Sequence, residues 1–568
     1  MSTLRGADAL VQSLQRAGVT SIFTLSGNHI MPLFDALFDC GIELFHTRHE
    51  ASCVHMADAY ARLTGKTGIA LVTGGPGHAN AVAALYTAQM NESPVVLLSG
   101  HAPNNQLGQG SFQEMLQADM AAPVTKASWA CASAGALAAD MTRAMQIARS
   151  GRPGPVHLSL PTDALEDLLD ASIHCAEGKS PETPAAQGLR ADAAARVAAW
   201  LAAGTRPVVL TGPVTLTRPG REKLKALEDA LGIPVVGMES PRGVNDPSLG
   251  AFAQMLAKAD RVLLLGKKVD FTLKLGKAFA PDCVFMQVDA EEVEIARAQR
   301  ALGARLSASM QCDAFTAMAS LAQAARVVQA SRSASAWRGE MSDAIAYRPA
   351  AWDAGRSALP NRLHPVEVCR PLQAVLDRHP DAVLVSDGGE FGQWAQACVA
   401  APQRVINGPA GAIGAALPFA LGACVALQAM SGNSSGNTAG NASGKTLGKT
   451  PAAPVIAFMG DGTFGFHSAE FDTAVRYGLP FVLIVGNDAR WNAEYQIQLK
   501  GYGKERLHGC ELLPTRYDQV AAAFGGHGEF VTEAAQLLPA VERAIASGKP
   551  ACVNVMMEGV PAPVVSRS

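Results

Sequence analysis

The chain carries little charge for its size. Asp, Glu, Lys and Arg make up 17% of 568 residues, the net charge is −3, and 48% of residues are apolar. So even a balance gives no electrostatic reason to expect nucleic acid or an anionic membrane as partner. Sparse charge and many alanines fit a chain with much buried interface, hence an oligomer. Paired cysteines are also lacking. The eleven cysteines are scattered, odd in number and without a CxxC pair, which reads as reduced thiols in a cytoplasmic protein. The start of the chain has no apolar signal core and reads instead as an amphipathic helix, Leu4 to Ala17. The uncharged stretch Val405 to Gly444 contains Pro409, Pro418 and many glycines, and its second half is polar. It predicts a buried helix, not a membrane span. The want of a GxGxxG turn with an acidic residue downstream excludes an ordinary nicotinamide dehydrogenase. GKT occurs twice between Ser431 and Thr450, but neither copy follows a strand or has the earlier glycine of a P-loop. That low-complexity segment is expected to be disordered.

What is present is a set of strand–turn–helix units. Val455 to Met459 is an apolar run that reads as a buried parallel strand, ending in Gly460-Asp461-Gly462. A helix carrying Phe471, Ala474, Val475 and Leu479 follows. Pro480 opens a second run, Phe481 to Val485, which ends at Gly486-Asn487-Asp488. A right-handed crossover brings both strand ends to one sheet edge, where open α/β sheets bind ligands. Asp461 and Asp488 would meet there as hard oxygen ligands suited to Mg²⁺. The N–H groups of Gly462 and Thr463 would suit a phosphate. By spacing alone, a plain unit with ordinary turn aspartates reads equally well.

Residues 1–165 repeat the pattern. Strands are expected at Ser21 to Leu25, Glu43 to His46, Gly68 to Thr73 and Val95 to Ser99, with Gly74-Gly75-Pro76-Gly77 leading into a helix. Two related α/β domains thus flank a third. Glu50 sits at a strand-to-helix junction, where an acid favours the helix dipole. His49 and His55 are six apart, whereas a helical zinc pair needs four, so no metal is expected there. Residues 166–190 and 331–365 read as linkers, the second with some helix. Residues 191–330 form a central α/β domain with strands at Pro207 to Leu210, Pro234 to Val236, Arg261 to Leu265 and Val284 to Val288. The last domain runs over residues 366–560. Lys267-Lys268 reads as a solvated lysine pair.

Two segments carry a resemblance. RHEASCVHMADAYARLTGKTGIALVTGGPGHAN, from Arg48 to Asn80, is similar to the pyrimidine-binding segment of thiamine-diphosphate (ThDP) enzymes. GDG followed by the terminal Asn487-Asp488 resembles their diphosphate–metal motif. The chain is most similar to the acetolactate synthase large-subunit and benzaldehyde lyase branch. The resemblance implies three consecutive open parallel-sheet domains: pyrimidine-binding, central and diphosphate-binding. It makes Glu50 the catalytic acid on the cofactor's aminopyrimidine, with Gly75, Pro76, Gly77 and Asn80 beneath that ring. It places Gln113 and His29 beside the substrate. Gly389 and Glu390, in DGGE, contact the diphosphate. The carbonyl of Gly411 accepts from the pyrimidine amine, and Ile413 is the wedge that bends the cofactor. Asp461, Asp488 and the carbonyl of Arg490 hold Mg²⁺, and Gly462 and Thr463 hold the diphosphate. Asp488 departs from the family's usual Asn, adding a negative charge while remaining a good ligand.

The implied activity is decarboxylation and carboligation of 2-oxo acids through a carbanion at C2 of the cofactor. The alternatives are a lyase or ligase of 2-hydroxy ketones, a decarboxylase or lyase of acyl-CoA substrates, and an inactive scaffold. A short tail after Val555, without an evident lid, counts against acyl-CoA; intact Glu50, Asp461 and Asp488 count against a scaffold. Trp491, Asn492 and Glu494 lie where relatives line the substrate pocket. Some relatives hold FAD or an ADP-bearing ligand in the central domain, but their LGMHG pattern is replaced here by Leu249-Gly250-Ala251-Phe252-Ala253, which speaks against FAD. In such enzymes the site lies between two chains, so a homodimer or homotetramer is implied.

Overall fold

The computed structural model describes residues 4–169, 188–326, 332–431 and 453–567. The insert expected to be disordered lies outside them apart from Ser431, as do residues 170–187 of the first linker.

Three sheets form in chain order. The first contains β1 (Ser21–Leu25), β2 (Glu43–His46), β3 (Gly68–Val72), β4 (Val95–His101), β5 (Ala127–Ala130) and β6 (Val156–Pro161). The second contains β7 (Pro207–Thr211), β8 (Val235–Gly237), β9 (Arg261–Leu265), β10 (Val284–Asp289) and β11 (Leu306–Gln311). The third contains β12 (Val383–Ser386), β13 (Gln403–Ile406), β14 (Val455–Gly460), β15 (Val482–Asn487), β16 (His527–Val531) and β17 (Ala551–Met556). Every strand pairing among the described residues is parallel. The first sheet runs β2-β1-β3-β4-β6-β5 and the third β13-β12-β14-β15-β17-β16. Counted from their own first strands, these are the same order, so the two outer domains repeat one topology. Their central strands are mostly apolar because helices cover both faces.

Three local features differ from the pattern read in the sequence. The helix after β14 is two helices, Asp461–His467 and Glu470–Tyr477. The buried Glu470 carboxylate opens the second helix. It accepts from the backbone N–H of Arg48 in the first domain at 3.1 Å, tying the second helix to a different neighbour. Helix Arg332–Ala346, read as part of a linker, buries Trp337, Met341 and Ala344 in the core of the central sheet. Lys267 is not solvated. It is buried with Nζ 2.6 Å from Thr272 Oγ1, and Asp270 beside it supplies the compensating charge. Among the described residues, no helix is long and apolar enough to cross a membrane. Helix Ala416–Met430, inside the uncharged stretch, is buried in the protein core instead. The described cysteines are free thiols, most of them buried.

Two of the contacts that join the domains stand out. Helices Glu50–Thr64 and Ala416–Met430 share one apolar core between the first and third sheets. At their closest approach a Cβ on Gly422 would lie 2.5 Å from the Met56 carbonyl oxygen. Glu239 of the central domain is buried where all three domains meet, paired with Arg62, Arg221 and Arg404. Burial alone would push its carboxyl up. The guanidiniums outweigh that and hold it down to about 2.

Gly422→Ala gains about 1 kcal/mol of helix propensity but forces a methyl group into backbone, an overpacking that costs about 1–3 kcal/mol. It is expected to lower the unfolding midpoint. Gly339→Ala, at an exposed helical position with nothing within 4 Å of the new methyl, is expected to raise it. Thermal or urea denaturation checks both signs.

Candidate active site

The first-domain candidates converge at the carboxyl edge of the first sheet. Glu50 opens its helix, with His49 as the cap accepting from the Ala51 N–H. Asn80 Nδ2 donates to Glu50 Oε2 at 3.0 Å. Glu50 Oε1 faces Gly77, 3.4 Å from where a Cβ would stand. Gly75 requires its identity. Its φ is +59°, and a Cβ there would lie 2.7 Å from Gln113 Cβ. Gln113 itself is left-handed, at φ +57°. Its Oε1 is buried without a hydrogen-bond partner, a strained and under-satisfied side chain of the kind found at binding sites. His29 Nδ1 lies 3.3 Å from Thr73 Oγ1, and its ring stacks on Phe112. Burial lowers its pKa, keeping the imidazole neutral near pH 7.

The third-domain candidates converge separately. A cavity of about 340 Å³ opens at the carboxyl edge of the third sheet. All of Gly389, Glu390, Gly411, Ile413, Asp461, Gly462, Thr463, Asp488 and Arg490 line it. Asp461 begins the helix after β14, and Asp488 follows β15 directly. Ala489 turns the chain there at φ +58°. A short bridge fixes the turn, with Trp491 N–H donating to the Cys510 carbonyl at 2.8 Å and Leu512 N–H to that of Ala489 at 2.8 Å. Burial pushes the Asp461 carboxyl above the ordinary range. Burial, then the charge of Asp461, does the same to Asp488. Asp461 Oδ2 is buried without a donor. Two such carboxylates fit a divalent cation, which would remove their mutual repulsion. Among the described residues no group of three or more His, Cys, Asp or Glu converges on a metal position, so other ligands there would be backbone or cofactor oxygens.

Neighbours brace this floor. Asp387, buried, accepts from the Gly388 N–H at 2.9 Å and the Gly414 N–H at 2.9 Å, tying the DGGE loop to the segment holding Ile413. Gly462 lies under Trp491, whose ring would be 2.8 Å from a Cβ. Sequence reasoning missed Pro241 and Arg242, which bring the central domain to the cavity wall. Arg242 pairs with Glu390 at 3.2 Å across 148 positions, a separation at which no local signal exists. It also missed Gln117, whose Oε1 accepts from the Gly75 N–H at 2.8 Å. The tail is not without contacts. Asn492, on the cavity wall, donates to the Val560 carbonyl at 2.8 Å, Trp394 to that of Pro561 at 2.9 Å, and Arg567 N–H reaches Gln254 of the central domain at 2.8 Å. The tail therefore passes beside the cavity.

The first-domain cluster does not line this cavity. None of His29, Glu50, Gly75, Pro76, Gly77, Asn80 or Gln113 is among the residues lining the cavity.

Known proteins show the same two-part arrangement in sequence. Residues 4–121 match the thiamine pyrophosphate enzyme N-terminal TPP binding domain, and residues 387–555 match the C-terminal TPP binding domain. The chain is 31% identical to the acetolactate synthase large subunit IlvG of Mycobacterium tuberculosis, over 98% of this chain and 96% of that protein. It is 28% identical to 2-hydroxyacyl-CoA lyase 2 of Homo sapiens, over 98% of this chain and 90% of that one. An acetolactate synthase large subunit of Parasynechococcus marenigrum is 27% identical over 97% and 87%. With both cofactor-binding domains matched and the relatives aligned nearly end to end, the chain belongs to the thiamine pyrophosphate enzyme family, among the acetolactate synthases and 2-hydroxyacyl-CoA lyases.

Proposed function

We propose that the chain is a Mg²⁺-dependent carboligase or lyase that makes or breaks a carbon–carbon bond next to a carbonyl, with 2-oxo acids as donors in the manner of acetolactate synthase. The observation that carries this reading is the pair of buried carboxylates with raised protonation, Asp461 and Asp488, in a cavity walled by the other expected diphosphate contacts. Bound ThDP supplies a carbon acid that, once deprotonated, adds to a substrate carbonyl. The protein's own residues do the rest. Asp461 and Asp488 hold the cation together with the Arg490 carbonyl, and Gly462 and Thr463 present N–H groups to the diphosphate. Ile413 supplies an apolar wedge, and the Gly411 carbonyl accepts from an amine. Glu50 exchanges a proton at Oε1 while Asn80 holds Oε2. Gln113 Oε1, unpartnered, offers an acceptor to a substrate hydroxyl, and neutral His29 a hydrogen bond without charge.

A complete site then needs a second copy of the chain. Glu50 and its neighbours come from one protomer, and the cavity from the other. Exposed apolar side chains beside each half, Phe112 and Leu116 on one and Ile497 and Leu513 on the other, support a homodimer as the smallest active unit. Reduced thiols fit a cytoplasmic location. The likeness to 2-hydroxyacyl-CoA lyases, with a tail that passes beside the cavity, favours acyl-CoA cleavage as the second reading.

Purified protein with ThDP and Mg²⁺ is expected to consume pyruvate and release CO₂ and acetolactate. Cleavage of 2-hydroxyacyl-CoA without pyruvate turnover would select the second reading. Turnover of neither sinks the first. Glu50→Gln should lower kcat by about 100- to 10,000-fold while ThDP remains bound; a loss under threefold would remove Glu50 from proton transfer.

Metal loading should depend on pH. A cation binds the ionised carboxylates, whose pKa values are raised in the cation-free protein. Mg²⁺-dependent ThDP affinity should therefore rise as pH increases from the ordinary carboxylate range through neutrality, then level off. Without the cation the same shifts have the opposite sign for folding: stability is present at low pH and declines over that window. Fluorescence titration of Trp491 at several pH values tests the first point, and a flat profile would contradict it.

A further inference from the structure

The central sheet has a switch point of its own. The chain leaves β7 for β8 on one side and returns to β9 on the other. In open parallel sheets the crevice between two such strands is where nucleotides sit. Here first-domain side chains enter it. Glu92, just past helix Pro76–Met90, accepts from the Val214 N–H at 3.0 Å beyond β7. Arg152 donates to the Gly266 carbonyl at 3.1 Å beyond β9. Arg152 also pairs with both Glu92 and Asp289, the last residue of β10. Glu92 and Asp289 are buried and Arg152 is largely so. The floor is equally tight: a Cβ on Gly212 would stand 2.6 Å from the Gly266 carbonyl oxygen.

We infer that this crevice is a docking socket for the first domain and that the central domain holds no flavin or adenine nucleotide. A diphosphate at a switch point is gripped by backbone N–H groups beyond the strand ends, and the Glu92 carboxylate already occupies that of Val214. The cations nearby are committed. Arg152 is shared between Glu92 and Asp289, Lys268 lies 3.8 Å from Glu92 and 4.0 Å from Glu294, and Lys267 is buried against Thr272 and Asp270. A dianion entering here would meet three carboxylates with no free cation among the described residues facing it. A second observation agrees. At the position of the flavin pattern, Phe252 is fully buried. A Cβ on Gly250 would lie 2.5 Å from the Ala344 carbonyl oxygen. Helix Arg332–Ala346 thus covers that segment.

The test uses the full-length protein and does not depend on its catalytic reading. Protein incubated with FAD or ADP at millimolar concentration is desalted and assayed for bound nucleotide by absorbance, with calorimetric titration in parallel. Neither nucleotide should be retained, and no saturable heat should appear. Stoichiometric retention of either by the unaltered protein overturns the inference. Unfolding midpoints of Glu92→Gln, Arg152→Met and the double variant provide the second measurement. The double variant should lose clearly less than the sum of the single losses, because the two charges act as one lock. Additive losses would overturn the socket.

Discussion

One helix contact fixes what each half of the candidate site can face. Gly422 brings helix Ala416–Met430 against the backbone of Met56, and the helix that begins with Glu50 is thereby seated on the third domain. A Cβ at that point would push the helices apart, because protein interiors have no slack to absorb it. The seating is reinforced at the start of the same helix by the Arg48 N–H on Glu470 and by Ser52 on His467. With both domains held this way, the Glu50 cluster and the Asp461–Asp488 cavity form two separate faces of one chain. The proposed dimer rests on that arrangement: in it, each face would supply half a site.

Charge is distributed according to the same division. At two of the domain joints, buried carboxylates face guanidiniums. Glu239 has Arg62, Arg221 and Arg404, and Glu92 and Asp289 share Arg152. Breaking such a pair from one side leaves an uncompensated buried charge and costs about 3–5 kcal/mol. In the cavity, burial raises both Asp461 and Asp488, the charge of Asp461 raises Asp488 further, and Asp461 Oδ2 has no donor. Two raised carboxylates side by side in a cavity are the arrangement expected where a ligand binds.

The interior strands with unbroken apolar runs, such as Val455–Gly460 and Gly68–Val72, could be read directly, and so could the glycine turns that follow them. Strands β5, β11 and β16 could not. All three are edge strands, half exposed and polar in places, so the fully buried pattern of a parallel sheet does not apply to them. Strands β6 and β17 are interior but interrupted by His157 and Asn554. These are tolerated because Ser128 bonds the first, while Thr515, Asn487 and Asp518 bond the second. At the site, the residues carried by local motifs all lie on one of the two faces. Arg242 and Gln117 were invisible because their partners, Glu390 and Gly75, are distant in sequence and chosen by the fold. The linker reading of residues 332–346 failed for the same reason: its buried Trp337 packs on a sheet that ends before it.

The most direct measurement is complementation between two inactive variants. Glu50→Gln and Asp461→Ala chains are co-expressed with different tags, and the mixed dimers are isolated and assayed against each parent. If the site is shared between chains, one of the two sites in each mixed dimer is intact, and isolated mixed dimers recover about half the activity of the unaltered dimer. If mixed dimers form and remain as inactive as their parents, each site is built within a single chain and the shared-site reading is wrong.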